Sequence, residues 1–343
     1  MAQGNKYGMH RVLEPAGVMP QAALKLDSSM DIYDNEILID VSALNIDSAS
    51  FTQIEEASGH DTEKIADMIQ KIVAERGKMQ NPVTGSGGML IGTVEKIGNA
   101  LDIDLKEGDR IATLVSLSLT PLRIDEILSI EPAIDRVTIK GKAVLFESGL
   151  YARLPEDMPE SLALAALDIA GAPAQTAKLV KPGDSVLILG AAGKSGLMCC
   201  YEAKKRVGPT GRVVGRDYGE AARKALESYG FCHEVITGDA TRPMEILEKA
   251  LAANQGNEYD LSINVVNVPN TEMSSIIPVR DKGTVYFFSM ATSFTKAALG
   301  AEGIGKDVTM IIGNGYTKGH AEITLEELRE SETMRKIFEG TYK

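Results

Sequence analysis

The spacing of hydrophobic residues changes along the chain and divides it into two regions. In the first region, apolar runs such as 36–44 and 89–97 are short and bounded by turn-forming residues, which predicts strands. One polar stretch, 62–75, repeats its apolar residues at helical spacing, which predicts a helix inserted among those strands. Between about residues 162 and 313 strands alternate with helices, and this alternation predicts a doubly wound parallel sheet.

The same patterns predict the remaining elements. In the first region we predict a strand at 111–119 and two strands separated by a turn at 140–142. In the second region the predicted strands are 185–189, 211–215, 235–236, 260–268, 283–289 and 308–312, and an amphipathic helix covers 325–338. The strand at 308–312 would lie at the edge of the sheet and need a cover, so we predict a homodimer that pairs sheets across its two subunits.

The strongest functional signal is the apolar run 185–189, which ends in the glycine-rich turn 190–196 and leads into a helix-forming segment. A buried parallel strand, a tight turn and a helix N-terminus together form a site for the pyrophosphate of a dinucleotide. Ala191 stands where the strict motif has its first glycine, so the match is partial. The expected pyrophosphate contacts are Gly190, Ala191, Ala192, Gly193, Lys194, Ser195 and Gly196.

The next strand supplies candidates that contact the adenosine ribose of the cofactor. Asp217 follows that strand about 20 residues after Gly196, where an acidic side chain accepts hydrogen bonds from ribose hydroxyls and favours NAD. The neighbouring Arg216 could instead face the 2′-phosphate of NADP, so both NAD and NADP remain open. Ligands of such sheets lie beyond the carboxyl ends of the strands, so residues after later strands are candidates too. These residues are Asn267, Val268, Pro269 and Ser289.

Composition narrows the class of protein. With 343 residues, 44% of them hydrophobic, the chain is long enough for about two domains with large cores. A net charge of −12 argues against binding to nucleic acid or anionic membranes and is compatible with a small cationic or zwitterionic substrate. No segment has the apolar length of a signal peptide or membrane span, and three cysteines fit a reducing compartment, so we expect a cytoplasmic protein.

The β-rich first region, the turn at 181–184 and the central nucleotide domain together resemble the medium-chain dehydrogenase/reductase superfamily. The turn 190–196 and the segment 44–47 resemble its quinone-oxidoreductase branch. The resemblance implies an α/β fold that combines a Rossmann sheet with a GroES-like catalytic domain. The implied domains are a GroES-like domain at 1–165, a Rossmann NAD(P)-binding domain at 166–313, and a C-terminal segment at 314–343 that returns to the catalytic domain.

The zinc branch of that superfamily has ligands that this chain lacks. Its histidine and glutamate should fall within 87–92, which contains neither. Its cysteine ligands should fall near Ile46 and Ala165, and neither neighbourhood holds a cysteine or histidine. We therefore expect no catalytic metal.

A closer resemblance is carried by segments spread from end to end of the chain. They are 11–15, 17–21, 114–122, 264–272 and 312–316, and they are similar to the family of L-erythro-3,5-diaminohexanoate dehydrogenases. The resemblance implies NAD(P)-dependent oxidative deamination of a 3-amino group in lysine fermentation, yielding 5-amino-3-oxohexanoate and ammonia. Spacing and composition alone do not specify this substrate.

Amine oxidation needs a group that holds the substrate ammonium and accepts its proton, and a partly buried carboxylate can do both. We select Asp47, at the end of a predicted strand, and Asp168, near the superfamily's nicotinamide position. Ser48 could hydrogen-bond at the reacting centre. Asp47 could equally cap a turn, Asp168 could equally be a solvated helix residue, and Ser48 could bond nearby backbone groups.

Five further residues are candidates for substrate binding. A substrate carboxylate needs a cation, and Arg11 and Arg123 stand in family-like segments. Glu14 could hold the second ammonium group, Ser50 could hydrogen-bond the substrate, and His10 could act as a base. The alternatives are surface residues for Arg11, Arg123 and His10, a solvated strand end for Glu14, and backbone hydrogen bonding for Ser50.

Two other functions remain open from the sequence. A zinc-free NADPH-dependent quinone or enoyl reductase would share the fold but would need no ammonium-binding carboxylates, so Asp47 and Asp168 discriminate between the two enzymes. A non-catalytic dinucleotide-binding sensor would leave its cleft poor in paired polar groups.

Overall fold

The apolar runs of the chain form two six-stranded sheets, one in each of the two units into which the chain divides. The N-terminal unit is Met1–Asp157 and the C-terminal unit is Met158–Lys343. The computed structural model describes residues 3–313 and 315–341. Residues 1–2 of the expected first domain, and 314 and 342–343 of the expected C-terminal segment, lie outside the described residues.

The N-terminal unit is built on an antiparallel sheet. Its elements are β1 (Val12–Glu14), β2 (Lys25–Leu26), β3 (Glu36–Ile46), α1 (Ser48–Ala57), α2 (Thr62–Arg76), β4 (Gly88–Ile97), β5 (Arg110–Thr113), β6 (Leu122–Glu131), β7 (Arg136–Phe146) and β8 (Tyr151–Arg153). The strand order of the main sheet is β6-β7-β3-β4-β5-β8, and β1 and β2 form a separate ribbon. Buried apolar residues of the sheet and of both helices, among them Ile39, Phe51, Ile69 and Leu90, form one core.

The predicted inserted helix is confirmed as α2. Asp61 begins it, since its carboxylate accepts hydrogen bonds from the backbone N–H groups of Glu63 and Lys64 at 3.0 and 3.4 Å. Gly77 ends it in the left-handed conformation, with φ of 66°. The isoleucines at helical spacing are buried on the sheet side, as the pattern indicated.

Two predicted features of the N-terminal unit are wrong. The strand expected at 111–119 ends at Thr113, and the chain then forms a 3-10 turn at Leu117–Leu119 that the Ser116 side chain caps. The turn expected at 140–142 lies inside the continuous strand β7. Gly141 is needed there because a Cβ would overlap the carbonyl oxygen of Arg123 on the neighbouring strand, close to a register shift in the pairing.

The C-terminal unit is built on a parallel sheet. Its elements are α3 (Glu160–Leu167), α4 (Gly171–Leu179), β9 (Ser185–Leu189), α5 (Lys194–Val207), β10 (Arg212–Asp217), α6 (Glu220–Tyr229), β11 (Glu234–Thr237), α7 (Pro243–Ala253), β12 (Tyr259–Asn264), α8 (Glu272–Ile276), β13 (Val279–Phe287), α9 (Phe294–Gly303), β14 (Thr309–Ile312), α10 (His320–Glu330) and α11 (Glu332–Thr341). The order β11-β10-β9-β12-β13-β14, parallel throughout, confirms the predicted doubly wound sheet and places β14 at an edge.

Two elements of this unit are shorter than predicted. The strand expected at 260–268 ends at Asn264, whose Oδ1 accepts the Val266 N–H at 2.9 Å and turns the chain. The helix expected at 325–338 is two helices, α10 and α11. Ser331 separates them because its Oγ accepts the N–H of Met334 at 3.1 Å and caps the second helix.

The division between the units differs from the expected domain boundaries. It falls after Asp157 rather than after residue 165, so α3 belongs to the C-terminal unit. The segment expected to return to the catalytic domain also lies in the C-terminal unit, where α10 packs against α3, α4 and α5. Its buried face includes Leu325 and Leu328, which explains why an amphipathic helix was visible in the sequence.

Candidate functional site

The glycine-rich turn joins β9 to α5 in the C-terminal unit. Gly190 adopts φ of 87°, and the N–H groups of Gly190 and Ala191 donate to the Arg216 carbonyl at 2.9 and 3.1 Å. A Cβ on Gly196 would overlap the carbonyl oxygen of Gly190, so glycine lets the helix approach the turn closely. Within the described chain, no side chain caps the start of α5 at Gly193. This arrangement fits a pyrophosphate at the helix N-terminus.

Asp217 holds this turn from the end of β10. Its Oδ2 accepts the N–H of Ala192 at 2.6 Å, and its Oδ1 accepts the N–H of Tyr218 at 2.7 Å. Each carboxylate oxygen has a further lone pair for a ribose hydroxyl. The position therefore suits the ribose-binding role predicted from the sequence.

A cleft of about 520 Å³ opens beside the turn, past the carboxyl ends of the strands. It brings together six of the predicted cofactor residues with residues that follow β10, β11 and β12. Its lining is Gly190, Gly193, Arg216, Asp217, Tyr218, Asp239, Ala240, Thr241, Val265, Val266, Asn267 and Val268. A glycine turn, an acidic side chain at a strand end and an apolar slot are what a dinucleotide requires, so these residues fit the cofactor.

Several cleft residues were not foreseen from the sequence. Tyr218, Thr241 and Val265 each follow a strand of the parallel sheet. The rule that ligands lie beyond strand carboxyl ends could have found them once the strands were bounded correctly. Conversely, Pro269 does not line the cleft, and Ser289 uses its Oγ to accept the N–H of Ala291 at 3.2 Å.

Lys194, predicted to contact the cofactor, forms an ion pair with Asp168, predicted to be catalytic. Lys194, at the first position of α5, places its Nζ 2.6 Å from Oδ2 of Asp168, which caps the C-terminus of α3. The side chains are 22% and 44% exposed, respectively, so the pair remains accessible to solvent. The structure thus places the candidate carboxylate at the same helix N-terminus as the glycine turn.

Asp47 and Ser48 lie where β3 ends and α1 begins. The Oδ2 of Asp47 accepts the N–H of Gly87 at 3.1 Å, which fixes the carboxylate against the loop before β4. Asp47 is half-buried, whereas Ser48 is exposed and donates from Oγ to Asp135 Oδ2 at 2.5 Å. Asp47 therefore combines a turn-stabilising contact with partial exposure.

Ser50 is fully buried, in the first turn of α1. Its Oγ lies 2.5 Å from Thr84 Oγ1 and 2.6 Å from Ser86 Oγ. Asn81 donates from Nδ2 to the Ser50 carbonyl at 3.2 Å. These contacts stabilise the loop that carries Gly87, so the serine acts on the same loop as Asp47.

The alternative for Arg11 was a surface position, but the side chain is buried. Its guanidinium already donates hydrogen bonds within the N-terminal unit. Arg11 is 0% exposed and donates from Nε and Nη2 to both carboxylate oxygens of Glu36 at 3.0 and 2.6 Å. Its Nη1 donates to the Ser29 carbonyl at 2.6 Å, and Nη2 also donates to the Asp31 carbonyl at 2.9 Å. This saturated arrangement favours a structural role over binding of a substrate carboxylate.

His10 contacts the same carboxylate. Its Nδ1 accepts the N–H of Asn5 at 2.8 Å, which leaves Nε2–H to donate to Glu36 Oε1 at 2.8 Å. Burial alone would raise the pKa of Glu36, but hydrogen bonds from Arg11, Tyr33 N–H and His10 lower it below its usual range. With both ring nitrogens engaged, His10 is not placed to act as a base.

The other two substrate candidates are exposed. Arg123 pairs with Asp125 at 2.9 Å on β6, and Glu14 ends β1. Neither lies in the cleft. Both positions match the solvated alternatives considered for them.

One buried residue that sequence reasoning missed connects two of the family-like segments. Lys78 is fully buried, and its Nζ donates to the carbonyls of Pro20, Gln21 and Ser118 at 2.8, 3.2 and 2.7 Å. Burial, with a smaller effect from Arg76, lowers its pKa to about 8. No sequence pattern distinguishes such a lysine from a solvated one.

The part of the chain that the structure describes lacks two further features. No group of three or more histidine, cysteine, aspartate or glutamate residues is arranged to hold a metal ion. Among residues 3–313 and 315–341, no helix is long and apolar enough to span a membrane.

Solved structures with a similar overall fold include an enoyl reductase and a quinone oxidoreductase. The CurK enoyl reductase matches with a TM-score of 0.53 and 18% identity over 87% of this chain and 80% of its own. The Escherichia coli quinone oxidoreductase complexed with NADPH matches with a TM-score of 0.52 and 17% identity over 92% of this chain and 83% of its own. This similarity shows the medium-chain dehydrogenase/reductase fold, and the glycine turn with its cleft fits a dinucleotide.

Sequence comparison gives the particular family. Residues 10–155 match the model of the L-erythro-3,5-diaminohexanoate dehydrogenase N-terminal domain. The L-erythro-3,5-diaminohexanoate dehydrogenase of Acetoanaerobium sticklandii is 74% identical, over 99% of both chains. That of Fusobacterium nucleatum is 67% identical over 100% of both. The chain belongs to the L-erythro-3,5-diaminohexanoate dehydrogenase family.

Proposed function

We propose that this protein catalyses the NAD(P)-dependent oxidative deamination of L-erythro-3,5-diaminohexanoate to 5-amino-3-oxohexanoate and ammonia. The observation that carries the proposal is the full-length identity of 74% and 67% to two dehydrogenases named for this substrate. The cleft beside the glycine turn supports the cofactor requirement. The family resemblance also implies a place in lysine fermentation, which is part of the proposal.

The reaction sets requirements that the residues can be compared with. The 3-amino group must lose a proton, the hydrogen on C3 leaves as hydride, and water then hydrolyses the C3 imine to a ketone and ammonia. The bound dinucleotide supplies the hydride acceptor. The protein must supply a proton acceptor for the substrate ammonium and a site that orients C3.

We assign the proton acceptor role to a carboxylate, with Asp47 and Asp168 as the two candidates. Asp47 is supported by its half-buried position and by the Gly87 N–H that holds its carboxylate. Asp168 is supported by its position, because its contact with Lys194 holds it at the start of α5 beside the glycine turn. Ser48 is a positioning residue for Asp47 by sequence adjacency, and its hydrogen bond to Asp135 keeps the turn in place.

Three of the five substrate-binding candidates are already engaged within the N-terminal unit. Arg11, His10 and Ser50 are engaged in buried networks, so they are expected to act by stabilising the N-terminal unit. Arg123 and Glu14 remain candidates for ionic contacts with the diamino acid, since both are exposed. Of the cofactor candidates, Asn267 and Val268 are supported by their place in the cleft.

We propose a cytoplasmic homodimer. Three free cysteines, two of them buried, are typical of a protein made in a reducing compartment. Strand β14 pairs only with β13 in its sheet, and three of its four side chains are half-buried. Pairing of β14 with its copy in a second subunit would cover this edge, and size-exclusion chromatography that finds only monomer would rule this arrangement out.

The reductase alternative has no observation specific to it. Its support is the fold of enoyl and quinone reductases at 17–18% identity, which the dehydrogenase family shares. The two functions predict different products, because only deamination releases ammonia. A sensor would bind dinucleotide without turnover.

The test is an assay of the purified protein with L-erythro-3,5-diaminohexanoate and either NAD or NADP in the presence of a metal chelator. We expect reduced nicotinamide to accumulate with at least one of the two dinucleotides. Asp47→Asn and Asp168→Asn are the informative variants, with Asp67→Asn on α2 as an exposed control. Loss of turnover with dinucleotide binding retained assigns the carboxylate to the chemistry, and unchanged turnover removes it.

A further inference from the structure

Arg216 is a buried cation in the wall of the dinucleotide cleft. It lies near the end of β10, is 3% exposed and is one of the residues that line the cleft. On the same face of the sheet, Val214, Ile236 and Ala240 form an apolar core. An arginine in such surroundings needs partners for its N–H groups, because a buried cation without them is costly.

The guanidinium has few partners among the described residues. Nη2 donates to the carbonyl of Gly238, and Nε has no hydrogen-bond partner in the described part of the chain. A guanidinium carries five N–H donors, and the Gly238 carbonyl engages one of them. The orphaned donor belongs to a side chain that lines a cleft, so an incoming ligand can supply the acceptor.

Nearby carboxylates do not satisfy this demand. Burial lowers the pKa of Arg216, while the charges of Asp217, Asp239 and Glu245 act against that shift, so the three acids lie close by. Each of them is engaged elsewhere. Asp217 accepts from Ala192 and Tyr218, Asp239 accepts from Thr241, and Glu245 pairs with Lys249 at 2.8 Å.

The geometry points to the adenine base, rather than a 2′-phosphate, as the ligand of Arg216. Asp217 marks the ribose hydroxyls, and a phosphate on the same ribose would meet its negative charge. Residues 216 and 217 leave the strand on opposite faces, so Arg216 is poorly placed to neutralise that phosphate. Around Arg216 the cleft is formed by Ala240 and Val266, which make an apolar slot that suits a planar base.

We propose that Arg216 recognises the adenine ring by donating a hydrogen bond to one of its acceptor nitrogens. The assignment rests on the proposed dinucleotide-dependent function and specifies how that site selects its cofactor. It departs from the sequence-based expectation of a 2′-phosphate contact.

The experiment measures binding of reduced dinucleotides to native protein, Arg216→Met and Arg216→Gln. The chain has no tryptophan, so the fluorescence of reduced nicotinamide reports binding with little background. The ligands are NADH, NADPH and reduced nicotinamide mononucleotide, which lacks the adenosine. Arg242→Met removes an exposed cation, 73% exposed, from outside the cleft lining and serves as the control.

We expect Arg216→Met to weaken NADH and NADPH by the same factor, roughly 10-fold or more, as for a lost hydrogen bond from a charged group. The mononucleotide should bind native and variant protein equally, and Arg242→Met should leave NADH affinity unchanged. Arg216→Gln retains an N–H donor, so we expect a smaller loss. It also provides the same comparison if the methionine variant does not fold.

Two results would overturn the assignment. A loss confined to NADPH would show that Arg216 serves the 2′-phosphate, and unchanged NADH affinity in folded Arg216→Met and Arg216→Gln would show that it does not contact the cofactor. Failure of the native protein to bind any of the three ligands would instead contradict the proposed function. The two failures are therefore distinguishable.

Discussion

Arg11 and Arg216 are both almost completely buried, and both were selected from the sequence as ligand-binding cations, yet their surroundings are opposite. Arg11 donates to both oxygens of Glu36 and to two backbone carbonyls. Arg216 donates to one carbonyl, and its Nε has no partner in the described residues. The comparison teaches that the unused hydrogen-bonding capacity of a buried charge, rather than its burial, indicates a ligand site.

The largest effect is expected from breaking the saturated arginine. Arg11→Met would leave the Glu36 carboxylate buried without its main partner, which typically destabilises a protein by about 3–5 kcal/mol. Urea unfolding of the variant should show this loss. Because Glu36 could then take up a proton, the loss should shrink below the ordinary pKa of glutamate, and the double variant Arg11→Met/Glu36→Gln should recover part of it. A loss that does not vary with pH would contradict this role.

Arg216→Met should have a much smaller effect on stability. Replacing an unpaired buried cation by an apolar side chain removes a desolvation penalty, so we expect a free energy of unfolding within about 1 kcal/mol of the native value, or above it. Urea unfolding without dinucleotide measures this. A loss as large as that of Arg11→Met would mean that the two arginines are equally structural.

Asp217 differs from Arg216 in that its carboxylate already contacts the protein, where it accepts the N–H of Ala192 in the glycine turn. Asp217→Ala removes the acceptor of the Ala192 N–H and a ribose contact, so we expect dinucleotide affinity to fall roughly 10-fold. Titration with NADH measures the change. An unchanged affinity would contradict the role of Asp217 in the site.

A further effect, which depends on pH, concerns a buried acid. Glu327 on α10 is 0% exposed, and neither carboxylate oxygen has a hydrogen-bond partner in the described residues. Burial first, and then the charges of Glu202 and Glu330, raise its pKa well above the usual range, while Lys205 and Arg206 oppose the shift. The folded state therefore retains a proton that the unfolded chain releases.

For such a group, stability is fully present below the unfolded pKa and is lost as pH rises through the folded pKa. Glu327→Gln removes this loss because the amide cannot ionise. We expect the variant to gain stability over the native protein as pH rises from about 5 to about 8 in urea unfolding. Parallel pH profiles for the two proteins would contradict an ionisable Glu327.

The sequence predicted the C-terminal unit better than the N-terminal one. The run 185–196 combines a buried strand, a tight turn and a helix start, each of which depends on local chemistry. Strand ends were less predictable, because Asn264 ends β12 through side-chain bonds to residues up to Ser275, seen only in the fold. The prediction of a turn at Gly141 was wrong because glycine is required there by the close approach of a neighbouring strand, which the sequence does not show.

The sequence also could not distinguish structural from ligand-binding residues in the N-terminal unit, because their contacts are long-range. Arg11 lies 25 residues from Glu36, and nothing in the sequence pairs them. The same holds for Lys78, which reaches the carbonyls of Pro20 and Ser118. Long-range hydrogen bonds decide whether a charged side chain is free for a ligand, and a single sequence does not contain them.

The most direct test of the proposed function follows the atoms of the reaction. L-erythro-3,5-diaminohexanoate carrying deuterium at C3 would be incubated with the protein and the oxidised dinucleotide, and ammonia and the reduced cofactor would be quantified by mass spectrometry and enzymatic assay. We expect one ammonia for each reduced nicotinamide, with the deuterium transferred to the nicotinamide. Reduced nicotinamide without ammonia, or deuterium released to water, would contradict oxidative deamination at C3.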